Sequence, residues 1–413
     1  MTFAKGAESY PAAGASRETG AGFSWDGTGP VFFLALLFFL SFTARIILAP
    51  FLPTIEKDLG ISHSGAGLFF FLVSAGYFFA LVGSGFVSSL LTHRRTLSLS
   101  CAFAGLALLA ISYASNLWSI RLGLIFLGAA TGLYMPSAIA TITALIDSSH
   151  WGKALAIHEI APNLAFIFVP LIAELFLRWS SWRAALGLLG GLSVIAAVLF
   201  ALRGRGGEFA GESPASGSFK ALLGEPSVRL MATLFGLGVS STLGIFSMLP
   251  LYPVSERQME QSWVNTLIAL SRVSGPFMVL GAGWASDRLG PERTIAGTFV
   301  LTGVATLALG LLPSPWILLF IFVQPALAVC FFPAGFAALA AIAPAGSRNV
   351  VVSFTVPFGF LLGGGAVPAL IGVMGDAGSF ASGFSLVGFL ILIGGVLAFA
   401  LRLPYRGREK FTP

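Results

Sequence analysis

Twelve stretches of roughly 20 or more mostly apolar residues follow one another along this chain, and they leave few folds open. Backbone N–H and C=O groups placed in lipid must pair within their own segment, so each stretch is predicted to be a membrane-spanning α-helix. Charged residues amount to 10%, where a soluble chain carries roughly a quarter. The expected spans lie near 31–53, 64–89, 96–114, 117–145, 153–177, 182–202, 227–252, 262–285, 294–312, 315–343, 350–374 and 382–402. The longest interruption, "RGRGGEFAGESPASGSFKALLGEPS" at 203–227, is polar and rich in Gly, Ser and Pro, the composition of a linker.

The expectation is thus an all-α membrane protein with twelve transmembrane helices in two pseudo-symmetric six-helix bundles. Residues 29–202 form the first bundle, 203–226 the linker and 227–402 the second. The ends, 1–28 and 403–413, are polar tails, the first read as disordered. An even number of spans puts both tails on one side, and the basic residues say which. Sixteen Lys and Arg fall on the tail side and five on the other, with Arg45 and Arg272 inside spans, out of 23 in all. Under the positive-inside rule both termini are cytoplasmic, in a multi-pass protein of the cell's inner membrane. The formal charge of +6 is then a matter of topology, and no nucleic-acid partner is expected.

The halves resemble one another. "APFLPTIEK" (49–57) matches "LPLYPVSER" (249–257) through Pro50/Pro250, Pro53/Pro253, Glu56/Glu256 and Lys57/Arg257. "FALVGSGFVSS" (79–89) matches "FMVLGAGWASD" (277–287), and Pro136 matches Pro333. A duplicated six-helix unit suits a carrier in which one bundle rocks against the other.

"GWASDRLGPER" (283–293) resembles the loop signature of the major facilitator superfamily, through Gly283, Asp287, Arg288 and Gly290. The first-half copy keeps Gly85, Arg94 and Arg95, with Ser89 where the acid belongs. The resemblance implies a gate latched by an acid and basic residues, and here Asp287 and Arg288 supply that charge pair only in the second half. A narrower likeness is to the anion:cation symporter branch, which includes sugar-acid and vesicular glutamate carriers. It rests on Arg45, Pro53, Asp58, Leu59, Gly60 and Ser62, on Arg121, Gly128, Gly132 and Pro136, and on the "HWGKALAI" and Trp182–Arg183 landmarks. Two acids of that pattern are replaced, by Ala44 and Thr131, so their proton-handling role is not inherited.

Two arginines lie deep in spans. A lipid-facing arginine at mid-depth costs roughly 2.5–3.5 kcal/mol on insertion scales, so Arg45 and Arg272 are expected to face a watery chamber or a partner. Within spans the acids are Glu159 and Glu174, and Glu174 sits one turn from Arg178, where a surface pair suffices. Two cations facing one deep acid call for a bound anion, which guanidinium grips through paired hydrogen bonds; the alternative is a bond to helix-end carbonyls or to Glu159. Tyr134, Asn163 and Gln324 join Arg45 and Arg272 as candidate substrate-binding residues. His158 and Glu159 are candidate proton carriers; adjacent on a helix, they point about 100° apart. Glu159 shares a face with Asn163, and a polar knot around Pro162 is the competing account. The 39 Phe residues are read mostly as lipid-facing bulk, and "FLLGGGAVP" (360–368) as close helix packing.

These readings add up to a secondary transporter moving a small organic anion of carboxylate, sulfonate or phosphate type, most plausibly by proton symport. It is expected to be a monomer in the lipid bilayer, with no cofactor, metal or enzymatic activity. Cys101 and Cys330 fall in apolar segments and are read as packing. The rivals are a proton-driven exporter of amphipathic drugs, disfavoured because "HEIAPNLAFIFVPLIAE" has no glycine, and a non-transporting sensor on the same fold.

Overall fold

Prolines decide where the apolar runs bend, and one bend, at Pro50 and Pro250, falls at the same place in both halves. The computed structural model describes residues 29–211, 225–313, 315–342 and 348–403. The tail 1–28, most of the linker (212–224) and residues 404–413 lie outside the described residues. Twelve spans are present among those described. In the first half they are α1 (Gly29–Leu59), α2 (His63–Leu90), α3 (His93–Tyr113), α4 (Leu117–Leu145), α5 (Ser148–Trp179) and α6 (Trp182–Arg203). In the second they are α7 (Pro226–Ser255), α8 (Gln261–Leu289), α9 (Pro291–Leu311), α10 (Trp316–Ile342), α11 (Val351–Asp376) and α12 (Phe380–Ala400). The fold is the expected all-α, two-bundle arrangement.

A proline lacks the N–H its turn needs, and its ring collides with the carbonyl four residues back. Pro50 does this to Ile46, and the α-helix of α1 stops there and resumes at Leu52. Pro250, its repeat mate, stands at the same kind of break between Met248 and Leu251 in α7. Pro276 acts on Arg272, where α8 is interrupted over 272–274.

Within the first half α3 packs along α6, α2 along α4, and α1 along α5; in the second, α9 packs along α12 and α7 along α11. The halves meet along two seams, α2 against α11 and α5 against α8. The α2–α11 approach is so close that a Cβ on Gly67 would lie 2.5 Å from the Pro368 carbonyl oxygen, and one on Gly372 only 2.4 Å from that of His63. The Gly363–Gly365 run packs as expected: a Cβ on Gly363 would meet the Ser240 nitrogen at 2.4 Å. Both segments at that contact, Ser240–Gly244 and Phe360–Ala366, are wound as π-helix.

Candidate functional site

Arg45 and Arg272 each stand where a proline breaks the helix, which brings a long cationic side chain to the seam. Both are only 7% exposed. The Arg45 guanidinium carbon lies 3.8 Å from the ring centre of Tyr77 on α2, 4.7 Å from Phe360 on α11 and 5.6 Å from Phe42 on its own helix. That of Arg272 lies 4.7 Å from Phe166 on α5 and 5.0 Å from Phe246 on α7. Each cation therefore touches rings from both halves. Neither is in an ion pair among the described residues. On Arg272 the Nε and Nη2 atoms are buried with no hydrogen-bond partner. Those two nitrogens share one edge of the guanidinium, the edge whose parallel N–H groups match a two-oxygen anion.

A chain of rings joins the two cations. Phe42 contacts Phe166 at 5.2 Å, and Phe166 contacts Phe246 at 4.8 Å. The same chain runs on to the expected proton carriers, since Phe42 contacts Phe38 at 6.2 Å and Phe38 stacks on His158 at 4.5 Å. These phenylalanines correct the expectation of lipid-facing bulk: Phe38, Phe42 and Phe246 are buried. The only cue in the sequence is spacing, with Leu34, Phe38, Phe42 and Arg45 falling on one face of α1.

His158 is fully buried, while the side chain of Glu159 is half exposed. They point apart as expected, yet Oε1 of Glu159 reaches back to 3.3 Å from Nδ1 of His158. The Tyr134 hydroxyl donates to the Leu34 carbonyl at 2.5 Å and sits 3.2 Å from Nε2 of His158. Having one hydrogen, already given to Leu34, Tyr134 can only accept from Nε2. The imidazole's Nδ1 and the carboxylate then face each other as two acceptors unless a proton lies between them. A protonated His158 or a protonated Glu159 satisfies the contact.

The other expected residues divide. Asn163 lies at the seam, with its Oδ1 3.7 Å from where a Cβ on Gly275 would stand and its Nδ2 donating to the Glu159 carbonyl. Tyr134 and Gln324 are drawn into internal bonding instead of pointing along the seam. Tyr134 stacks on Phe38 within the first half, and the buried Gln324 donates to Ser241 O at 2.7 Å inside the second. Glu174 does more than the surface pair assigned to it: besides Arg178 Nε at 2.6 Å, its Oε1 accepts from Ser262 Oγ on α8.

That contact belongs to a seal at the end away from the linker. The Asp376 carboxylate at the end of α11 accepts from the backbone N–H groups of His63 and Ser64, the first turn of α2. Gln261 accepts from Thr54 Oγ1 at 3.0 Å and donates to Pro50 O at 2.9 Å. At the linker end the gating residues stand apart. Asp287 and Arg288 are exposed, and among the described residues Asp287 forms no ion pair. Arg288 lies over Trp284. The acid–base latch that the resemblance implies has no ion pair among the described residues. Arg95 is exposed, Gly85 and Gly283 are half-buried, and Gly290 takes φ +95° at the turn before α9. Arg94 is committed elsewhere, to Glu208 of the linker and to Ala201 O.

Comparison with known proteins agrees with this architecture. The family model of the Major Facilitator Superfamily matches residues 34–281 and 258–413. Among solved structures, a bacterial homologue of the human lysosomal transporter Spinster, in an inward-facing and occupied conformation, superposes with a TM-score of 0.76 at 14% identity, over 90% of this chain and 96% of that one. A POT family transporter in complex with 5-aminolevulinic acid gives 0.72 at 12% identity, over 91% and 96%. The nucleoside transporter NupG gives 0.73 at 14% identity, over 90% and 100%. No curated protein matches the sequence.

Proposed function

Because the chain belongs to the major facilitator superfamily and is a secondary transporter, we propose that it moves a small organic anion by alternating access in symport with protons. The observation that carries this is the buried, unpartnered Nε–Nη2 edge of Arg272. A buried donor without a partner loses its water for nothing, at about 1–3 kcal/mol and more for a charged group. A carboxylate, sulfonate or phosphate returns that loss through two parallel, charge-assisted bonds. Arg45, equally buried and without a carboxylate among the described residues, supplies a second positive group, linked to the first through the Phe42–Phe166 ring contact.

Proton coupling falls to His158 and Glu159. With Tyr134 beside Nε2, the Nδ1–Oε1 contact at 3.3 Å gives a transported proton two adjacent groups to occupy. That proton offsets the charge of the cargo as the halves move. The basic residues support a cytoplasmic linker end, so the unlatched end in this state faces the cytoplasm. One chain supplies both bundles and the whole seam, and it works as a monomer.

The test is uptake into proteoliposomes with an imposed pH gradient, using a panel of mono- and dicarboxylates, sulfonates and phosphate. Arg272→Gln is expected to reduce anion uptake about a hundredfold, the worth of two bonds to a charged group. His158→Gln is expected to leave anion-for-anion exchange while abolishing the response to the gradient. Uptake of cations alone would refute the anion reading, and gradient-independent uptake by the unaltered protein would refute the symport.

A further inference from the structure

We propose that the transported anion carries an aromatic ring directly beside its charged group, as in an aryl carboxylate, and is not a polyol acid. The proposal rests on the anion reading above and narrows it. Five rings, Phe42, Tyr77, Phe166, Phe246 and Phe360, surround the two guanidinium groups, and they come from both halves. Their mutual contacts are edge-to-face or tilted: Phe42 to Phe166 at 73°, Phe166 to Phe246 at 76°, Tyr77 to Phe360 at 59°. The guanidinium carbons lie over these rings, so a ring attached to the bound anion would meet the set edge-on, a favoured contact between aromatic rings.

The polar side chains nearby tell against the alternative. A sugar acid needs a donor or acceptor for each hydroxyl it brings out of water. The hydroxyls of Ser240, Ser241, Thr242 and Ser247 on α7 all donate to carbonyls of their own helix, as does that of Ser271, the neighbour of Arg272. Asn163 gives one Nδ2 hydrogen to the Glu159 carbonyl. The buried atoms without a partner on α1, α8 and α11, Thr43 Oγ1, Asn265 Oδ1 and Thr355 Oγ1, are isolated single groups, whereas the two guanidinium groups stand against aromatic rings. Phe166 and Phe246 lie within 5.0 Å of the Arg272 guanidinium carbon, so a ring conjugated to the bound carboxylate comes within reach of both.

The experiment is isothermal titration of the full-length protein in lipid nanodiscs with benzoate, cyclohexanecarboxylate, gluconate and benzyltrimethylammonium. Benzoate is expected to bind about tenfold more tightly than cyclohexanecarboxylate, and gluconate more weakly than either. Phe166→Leu is expected to erase the benzoate preference while both carboxylates still bind; Phe246→Leu provides the same readout if the first variant does not fold. Equal affinity for benzoate and cyclohexanecarboxylate, or a preference for gluconate, would overturn the aromatic assignment and leave the anion reading standing. Binding of benzyltrimethylammonium alone, or of none of the four, would overturn both.

Discussion

The two ends of this carrier are built from opposite materials. Away from the linker, one half reaches into the other with neutral and charge-assisted hydrogen bonds to backbone groups: Asp376 to two helix-start N–H groups, Gln261 to the carbonyl of Pro50. At the linker end Arg94 pairs with Glu208 of the linker, and Asp287 with none of the described residues. The closed end thus exploits helix irregularity. The Pro50 carbonyl at the α1 break and the N–H groups that begin α2 both take partners from the opposite half. Each bond is worth about 1 kcal/mol, so the seal is firm as a set and breakable as a unit, which alternating access requires.

This comparison is sharpest at Asp376. A carboxylate satisfying two first-turn N–H groups is worth about 1–2 kcal/mol as a helix cap, and here the cap comes from the other half. Asp376→Ala is expected to raise the population open at that end about tenfold. The measurement is the distance distribution between spin labels at Lys57→Cys and Glu260→Cys, in protein whose Cys101 and Cys330 are replaced by Ala. An unchanged distribution would mean that the α2–α11 glycine contacts and the Gln261 and Glu174 bonds hold the end shut without the cap. Gln261→Ala removes the Thr54 bond outright, while Pro50 O keeps a donor in Nδ2 of Asn265 at 3.4 Å; the net loss of about one neutral bond is expected to act in the same direction by about fivefold, read by the same labels.

The contrast also marks how far the sequence could be read. Span lengths, the repeat and the proline positions were legible because hydropathy and missing N–H groups act locally. Arg45 and Arg272 were legible as costly charges, since burial of a cation needs a reason wherever the chain goes. The ring set was not. Phe166 and Phe360 look like any other phenylalanine in an apolar helix, and only the packing of α5 on α8 and α2 on α11 brings them over the cations. The Asp376 cap was equally hidden, because it joins residues 312 and 313 positions apart. Tyr134 and Gln324 stand out in the sequence as polar residues within apolar spans, and polarity does not say whether a group points along the seam or back into its own bundle.

The smallest effect in this state is expected from the residue that the loop signature makes most conspicuous. Asp287 is exposed and without an ion pair among the described residues, so Asp287→Asn removes no bond that holds the present arrangement. The spin-label distribution at the far end should therefore stay within error of the parent. If the aspartate closes the linker end when the bundles rock, its loss destabilises the opposite state instead, and a surface charge pair is worth about 0.2–1 kcal/mol. Anion turnover in proteoliposomes is then expected to fall by no more than about fivefold, with binding in nanodiscs unchanged. A shifted distribution at Lys57 and Glu260 would break the comparison, since it would show that the exposed end bears on the sealed one in the resting state.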